Sequence, residues 1–361
     1  MAAIPRGGLV AVTGAAGFVG GWVVRQLLDK GYRVRACVRD PDDLTRTGFL
    51  RAMGGFASGR LTLHAADLDE PGCYDTVFRG CHGAAHLSHL SDYNDQDRIH
   101  RVCQHIINSI NQSGSVTRVV LTSSIAAVIS EMDMQELVRR PVLYEDRYPD
   151  QSNPRRTPER GQGYSMGKLV AEQAFTDAAA ASGRWDSITC CPGDNVGPIL
   201  SAHQQAMGPW QKLIAGMLQG DCPQTGVYRP WMTVDVRDDA ACHIALLENL
   251  AVRNGERYIA WSTDARKVED INTDIGRLLP ELGHAPGPVV DNQPDRVKAR
   301  EAEMRAIWAG CDLRNDRMRA LTGITFRPLD ESLRDCVESL LAIAQVPVRR
   351  RADLPPRDGA V

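Results

Sequence analysis

The sequence predicts an α/β fold in which a doubly wound parallel sheet is followed by a smaller, mainly helical C-terminal lobe. Three observations predict it. Short β-branched apolar runs recur, each is followed by a stretch with helical spacing, and the alternation persists through five strands, to about residue 122. The 361 residues, 43% apolar and 24% charged, supply enough core for a main domain and a lobe. A formal net charge of −3 gives no electrostatic reason to expect nucleic acid or an anionic membrane as partner. The apolar runs are short, and Arg25, Asp29 and Lys30 interrupt the most helical early one, so no segment reads as spanning a bilayer. The first eight residues lack a secretory pattern.

Residues 8–13 (GLVAVT) read as a buried strand stopped by a glycine cluster. Residues 17–30 carry Val19, Val23, Val24, Leu27 and Leu28 at helical spacing and end at Gly31, a good C-cap residue. A strand over 33–38, a polar helix from about 41 and a strand over 61–66 come next. Then follow a helix from about 73, a strand over 83–87, a helix over 95–112 and a strand over 118–122. Residues 130–163 break the rhythm with Pro141, Pro149, Pro154 and Pro158, and read as a long solvated loop. Helix returns over 163–181 and strand over 186–191. Residues 199–224 read as loop plus helix, 237–249 as helix, and 257–260 as a final strand. The expected organisation is a dinucleotide-type core over 1–192 with 233–262 returning to it, a lobe from 193–232 and 263–348, and a disordered tail over 349–361.

The ten cysteines form no C-x-x-C pair and mostly sit in apolar patterns, so they read as free thiols in a reducing cytoplasm. Adjacent Cys190 and Cys191 on a strand should face opposite ways. The nine histidines show no metal-ligand spacing; His86 and His89 come nearest, with no further ligand beside them, so no metal is expected.

Residues 13–20 read TGAAGFVG, directly after the first strand and opening the first helix. Gly14 permits a tight turn, Gly17 lets backbone approach a pyrophosphate, and Gly20 allows close helix–strand packing. Phe18 and Val19 share the first helical turn, whose positive end suits phosphate. The spacing is G-x-x-G-x-x-G, but the strand before and helix after supply the context for nucleotide binding. The second strand ends in Arg39, with Arg46 one to two turns on. A cation there suits the 2′-phosphate of NADP(H), which is favoured over NAD(H); the plainer reading pairs Arg39 with Asp40. Asp67 and Leu68, after the third strand, stand where the adenine edge would lie, although Asp67 could instead cap a helix.

Tyr164 and Lys168 (YSMGK) fall on one face of a helix at i, i+4. Reduction of a carbonyl needs a proton donor, and a lysine cation beside a phenol stabilises the phenolate. Ser123 and Ser124 close the fifth strand at its carboxyl end, where such sheets bind ligands. Ser124 is the chosen partner for the substrate oxygen, with Ser123 facing the sheet edge or capping the strand. After the sixth strand CPGDNVGP should turn at Pro192 and Gly193, bringing amides that include Val196 to the nicotinamide carboxamide. His86 and Leu87 would lie against the cofactor similarly. Trp210, Tyr228 and Trp231 are candidates for a substrate wall or for core.

Together these segments resemble the extended short-chain dehydrogenase/reductase superfamily, and within it the dihydroflavonol reductase, cinnamoyl-CoA reductase and microbial carbonyl reductase branch. TGAAGFVG, VRDP, ADL, VLTSS, YSMGK with LVAEQ, CPGDNVGP, TVDVRDDA and GITFRPLDESLRDCVESL carry the resemblance over almost the whole chain. It implies a Rossmann fold, a Ser–Tyr–Lys triad, NADP(H) with Arg39 and Arg46 sharing the 2′-phosphate, and a small aldehyde, ketone or alcohol as substrate; it also admits a homodimer. The sequence departs from the pattern at 86–90 (HLSHL), at Cys103–Gln104, and at Asp194 and Asn195, which points away from a flavonoid or cinnamoyl substrate. An NAD-dependent sugar-nucleotide epimerase or dehydratase is the first alternative, which Arg39 argues against. A non-enzymatic dinucleotide sensor is the second, and it has no need of Tyr164 and Lys168 beside Ser124.

Overall fold

In the computed structural model, which describes residues 3–90, 92–129, 134–145, 163–221, 231–264, 266–287 and 295–352, the recurrent apolar runs become one seven-stranded sheet. Its strands are β1 (Leu9–Thr13), β2 (Arg33–Val38), β3 (Leu61–Ala65), β4 (Gly83–His86), β5 (Arg118–Thr122), β6 (Asp186–Pro192) and β7 (Arg257–Ala260). Every pairing is parallel, in the order β7-β6-β5-β4-β1-β2-β3. The order reverses between β1 and β4, so the crevice at their carboxyl ends is the position where sheets of this topology take ligands.

Helices cover both faces, which is why β4 and β6 are buried along their whole length. On one face α1 (Phe18–Asp29) packs with Val236–Glu248, and on the other Gln96–Ser113 packs with Gly163–Ser182. In chain order the helices used below are α1, α2 (Leu44–Arg51), α3 (Gln96–Ser113), α4 (Gly163–Ser182), α5 (His203–Met207), α6 (Pro209–Leu218), α7 (Val236–Glu248), α8 (Asp295–Ala309) and α9 (Leu329–Ala342). Cys190 enters the core beneath α1 and α7, whereas Cys191 joins a separate cluster with Ile125, Leu143 and Trp261, so the pair does face opposite ways. The described cysteines are free thiols.

Three expectations are corrected. The polar helix starts at Leu44 rather than about 41, because the Asp43 carboxylate accepts from Arg46 N (3.3 Å) and sets the boundary. The helix expected from about 73 is a single turn, Asp75–Phe78. Residues 130–163 were expected to be solvated loop throughout, yet Met134–Arg139 is helical and Val142–Leu143 pairs in parallel with Asp312–Leu313. Leu137 and Leu143 are fully buried, and Glu145 accepts from Ile259 N (3.2 Å), so a few apolar residues anchor a highly charged segment. The rest of that segment lies outside the described residues. The tail is stitched in at its start, where Arg349 N donates to Leu218 O (2.7 Å) and Arg351 N to Gly283 O (2.9 Å).

Candidate active site

The glycine loop is built by steric necessity. Gly14 has φ +67°, and a Cβ there would lie 3.0 Å from Ser88 N and 3.1 Å from the Leu87 carbonyl carbon. A Cβ on Gly20 would stand 2.2 Å from Gly14 O, so only glycine lets α1 approach the loop this closely. Gly17 is the N-cap of α1 and offers no side chain to the first-turn amides of Phe18, Val19 and Gly20. Those donors, at the positive end of a helix, form a place for an anion.

Thr13 ties the loop to the end of β4. Its Oγ1 accepts from Leu87 N and Ser88 N (both 3.0 Å) and donates to His86 Nδ1 (2.7 Å), which leaves the ring proton on Nε2. His86 is buried and stacks on Phe175 at 5.5 Å, so its side chain faces the core and not the cofactor edge where it was expected. Leu87 stays half-buried at that edge. Burial, aided by the Lys168 charge, holds the His86 imidazole down to about 3. The native ring therefore refuses a proton that the unfolded chain binds from pH 6.5 downward. Its contribution to stability is full above the ordinary histidine value and is lost as pH falls, by up to about 1.4 kcal/mol per pH unit. Urea unfolding between pH 6.5 and 4.5 should fall less steeply for His86→Asn than for the parent; equal slopes would contradict this account.

Arg39, at the end of β2, is exposed and has no hydrogen-bond or ion-pair partner among the described residues. Asp40 instead accepts from Asp42 N (2.9 Å), so the plain surface pairing does not form. Arg46 is loosely paired with Asp43 (3.6 Å) and half exposed. Asp67 caps no helix: its carboxylate closes a turn onto Asp69 N (3.0 Å), and the following Leu68 carbonyl contacts His105 Nδ1 (3.3 Å).

The YSMGK residues lie on the first turns of α4. Lys168 is buried and its Nζ donates to Thr122 O (3.0 Å), the last carbonyl of β5. The ammonium stands 5.6 Å from the centroid of the Tyr164 ring and 5.8 Å from that of Tyr93, and the two rings meet edge to face at 4.9 Å. Burial works against the charge, but the adjacent Tyr93 and Tyr164 oxygens and the Glu172 carboxylate prevail, holding Lys168 above its ordinary value. Tyr164 is 43% exposed, so its ring is accessible from outside. Ser123 turns inward and donates to Glu172 Oε1; Ser124 stays half-buried, with Oγ accepting from Ala126 N (3.2 Å).

Sequence reasoning missed Tyr93. It packs on two glycines of α4: a Cβ on Gly167 would come within 2.5 Å of ring atom Tyr93 Cδ1, and one on Gly163 within 2.8 Å of the backbone oxygen of Tyr93. Glycines at i and i+4 on one helix face were the available signal. The foundation beneath Lys168 was missed too. Glu172 forms a buried ion pair with Arg257 (2.8 Å), whose guanidinium also donates to Ala127 O (3.0 Å) and Glu145 O (2.9 Å). Behind Thr122, its Oγ1 meets His243 Nε2 (2.7 Å) and His243 Nδ1 lies 3.1 Å from Asp239. With Cys190 these form a buried group whose ligand atoms lie within 4.8 Å of one another, but the imidazole nitrogens are already engaged in hydrogen bonds.

The segment after β6 differs from expectation. Pro192 belongs to the strand, and Asp194–Val196 pairs in parallel with Thr233–Asp235 in place of a simple turn. Gly193 N donates to Ala260 O (2.9 Å) and Asp194 N to Met232 O (2.8 Å), so neither amide is available to a carboxamide. Gly193 is needed because a Cβ would stand 2.5 Å from Met232 O. The Val196 side chain is wholly buried. Trp231 is core, packed on Trp210 at 4.9 Å, and Tyr228 lies outside the described residues.

Comparison with known proteins agrees with this architecture. The model of the "NAD dependent epimerase/dehydratase family" matches residues 10–260. A dihydroflavonol 4-reductase of Zea mays is 32% identical over 306 residues, covering 82% of each chain. A cinnamoyl-CoA reductase of Medicago truncatula is 30% identical over 349 residues, 92% of this chain and 96% of that one. Gre2 of Candida albicans, solved in complex with NADPH, has TM-score 0.75 at 22% identity over 92% of this chain and 98% of its own, a likeness of fold. Among the described residues no helix is long and apolar enough to cross a membrane. The chain thus belongs to the NAD dependent epimerase/dehydratase family, the extended short-chain dehydrogenases/reductases, and is an NAD(P)-dependent reductase of that family.

Proposed function

We propose that the protein is an NADP(H)-dependent carbonyl reductase and secondary-alcohol dehydrogenase, with Tyr164 as general acid and base. The observation that carries this reading is the buried Lys168 ammonium, pinned to Thr122 O at the end of β5 and set against the Tyr164 ring. The names of the plant relatives as reductases and the NADPH in the Gre2 structure support it.

The residues suit a dinucleotide. First-turn amides of α1 at Phe18, Val19 and Gly20 would hold the pyrophosphate, and Arg39, which has no partner among the described residues, would share the 2′-phosphate with Arg46. Asp67, Leu68 and Leu87 would line the adenine side, and Pro192, Gly193 and Val196 the backbone wall near the nicotinamide. When bound, the cofactor supplies or accepts the hydride. Tyr164 then gives its proton to the developing alkoxide, Lys168 stabilises the phenolate left behind, and solvent restores the proton. Ser124 donates a hydrogen bond to the same substrate oxygen. In this reading residues 193–232 and 263–348 shape the substrate pocket around the core of 1–192 and 233–262.

The test is oxidation of NADPH and NADH against aldehydes, aryl ketones and diketones. Turnover with NADPH preferred is expected; activity on a nucleotide sugar alone, with NAD retained through purification, would reverse the assignment. Arg39→Asp should raise KM for NADPH about 10–100-fold through loss of charge-assisted bonds to phosphate, with KM for NADH little changed. A variant that keeps its NADPH preference would place the phosphate site elsewhere.

A further inference from the structure

We infer that His203 and Gln204, which lie outside the glycine motif, are positioning residues for the dinucleotide: together they clamp the glycine loop through its carbonyl oxygens. The inference rests on the proposed cofactor site. Residues 193–232 were assigned to the substrate-binding lobe; within them the start of α5 turns back onto the glycine loop. His203 Nε2 donates to Ala16 O (2.8 Å) and Gln204 Nε2 donates to Gly17 O (3.1 Å). Ala16 O can only accept, so the imidazole proton is on Nε2. In the neutral ring Nδ1 then accepts from Ser201 Oγ (3.0 Å). Gln204 is fully buried, and its Oε1 accepts from Leu200 N (2.8 Å), so both ends of the amide are engaged.

The surroundings hold the clamp in register. Phe49 of α2 lies 5.8 Å from the His203 ring. Gly21 leaves the room for both partners, since a Cβ there would come within 2.9 Å of Phe49 Cε2 and 3.2 Å of Gln204 Nε2. One turn along α1, Trp22 Nε1 donates to Pro198 O (2.8 Å). Residues 198–204 are therefore fastened to the start of α1 at three points.

The consequence follows from the planar trans peptide, in which C=O and the next N–H point in opposite directions. Holding Gly17 O fixes the direction of the Phe18 amide, the first donor of the helix. Holding Ala16 O fixes the Gly17 amide, which donates to Gly14 O (2.9 Å) and closes the turn. Gly17 O also accepts from Gly21 N (3.0 Å), so Gln204 adds a second donor there, whereas His203 supplies a donor to Ala16 O. Pre-paying this order in the free protein favours binding.

The test uses the full-length protein and NADPH, titrated by tryptophan fluorescence. His203→Phe keeps a ring against Phe49 but cannot donate; Gln204→Glu keeps the acceptor for Leu200 N and replaces the donor with oxygen. Each should raise the NADPH Kd about tenfold, the loss of one or two buried hydrogen bonds. KM for NADPH should rise in step, while kcat at saturating NADPH and KM for the carbonyl stay within about twofold. Hydrogen exchange at the amides of 15–20 should quicken in both variants without cofactor. If Gln204→Glu does not fold, His203→Phe and the milder Ser201→Ala still decide. A parent protein that binds NADPH, with variants of unchanged Kd and unchanged loop exchange, overturns the clamp alone. A parent that binds neither dinucleotide overturns the proposed cofactor site and the clamp together.

Discussion

Tyr164→Phe is expected to lower kcat for carbonyl reduction by about 10²–10⁴-fold, the usual contribution of a positioned proton donor. The ring and its edge-to-face contact with Tyr93 survive the change, as does the seat of Lys168 on Thr122 O. NADPH affinity should accordingly stay within about threefold of the parent, because only one hydroxyl is lost. Stopped-flow hydride transfer with a single carbonyl substrate separates the two quantities. Full turnover in a variant that binds NADPH normally would transfer the proton-donating role to another group, and the sensor reading would regain ground. Tyr93, whose oxygen also borders Lys168, is the first residue to examine in that event; burial pushes its phenol up despite the nearby ammonium.

Glu172→Ala carries the largest expected cost in stability. Glu172 and Arg257 are both almost wholly buried, and the substitution removes the carboxylate that pairs with the guanidinium at 2.8 Å. Breaking such a pair from one side costs about 3–5 kcal/mol. The loss reaches the site as well, since Glu172 lies one helical turn beyond Lys168 and receives the Ser123 hydroxyl. Urea titration should show a lower midpoint with an unchanged slope. Replacing both partners, as Glu172→Leu with Arg257→Met, should recover much of the loss because no charge is stranded. A single substitution costing under about 1 kcal/mol would mean that water reaches the pair, as it does for exposed ion pairs.

What could be read from the residues divides along physical lines. The central strands were legible because buried parallel strands are largely apolar runs bounded by turn residues, whereas β2 (RVRACV) and β3 (LTLHA), toward the sheet edge, were read from β-branched and apolar residues between polar ones. The glycine loop and the Tyr164–Lys168 pair were legible because local spacing alone specifies them. The two-residue strand Val142–Leu143 was not, since so short a segment among arginines and prolines has no periodicity and finds its partner near residue 312. The commitments of Gly193 N and Asp194 N to Ala260 and Met232 are likewise long-range. His86 looked like a cofactor neighbour by its place in the strand; the Thr13 hydroxyl and the Phe175 ring turned it inward. Tyr93, Glu172 and the His203–Gln204 pair declare themselves only once separate elements meet.

The parallel pairing of Val142–Leu143 with Asp312–Leu313 has a consequence for how the chain can be shortened. It ties the stretch approaching α4 to residues beyond α8, and Glu145 continues the tie by accepting from Ile259 N. Deleting everything after β7 would spare the seven strands and the Glu145–Ile259 bond, yet remove the strand partner of Val142–Leu143. Residues beyond β7 thus brace the segment that precedes α4 in sequence, and under the proposed function a truncation there would reach the proton donor as well as the substrate pocket.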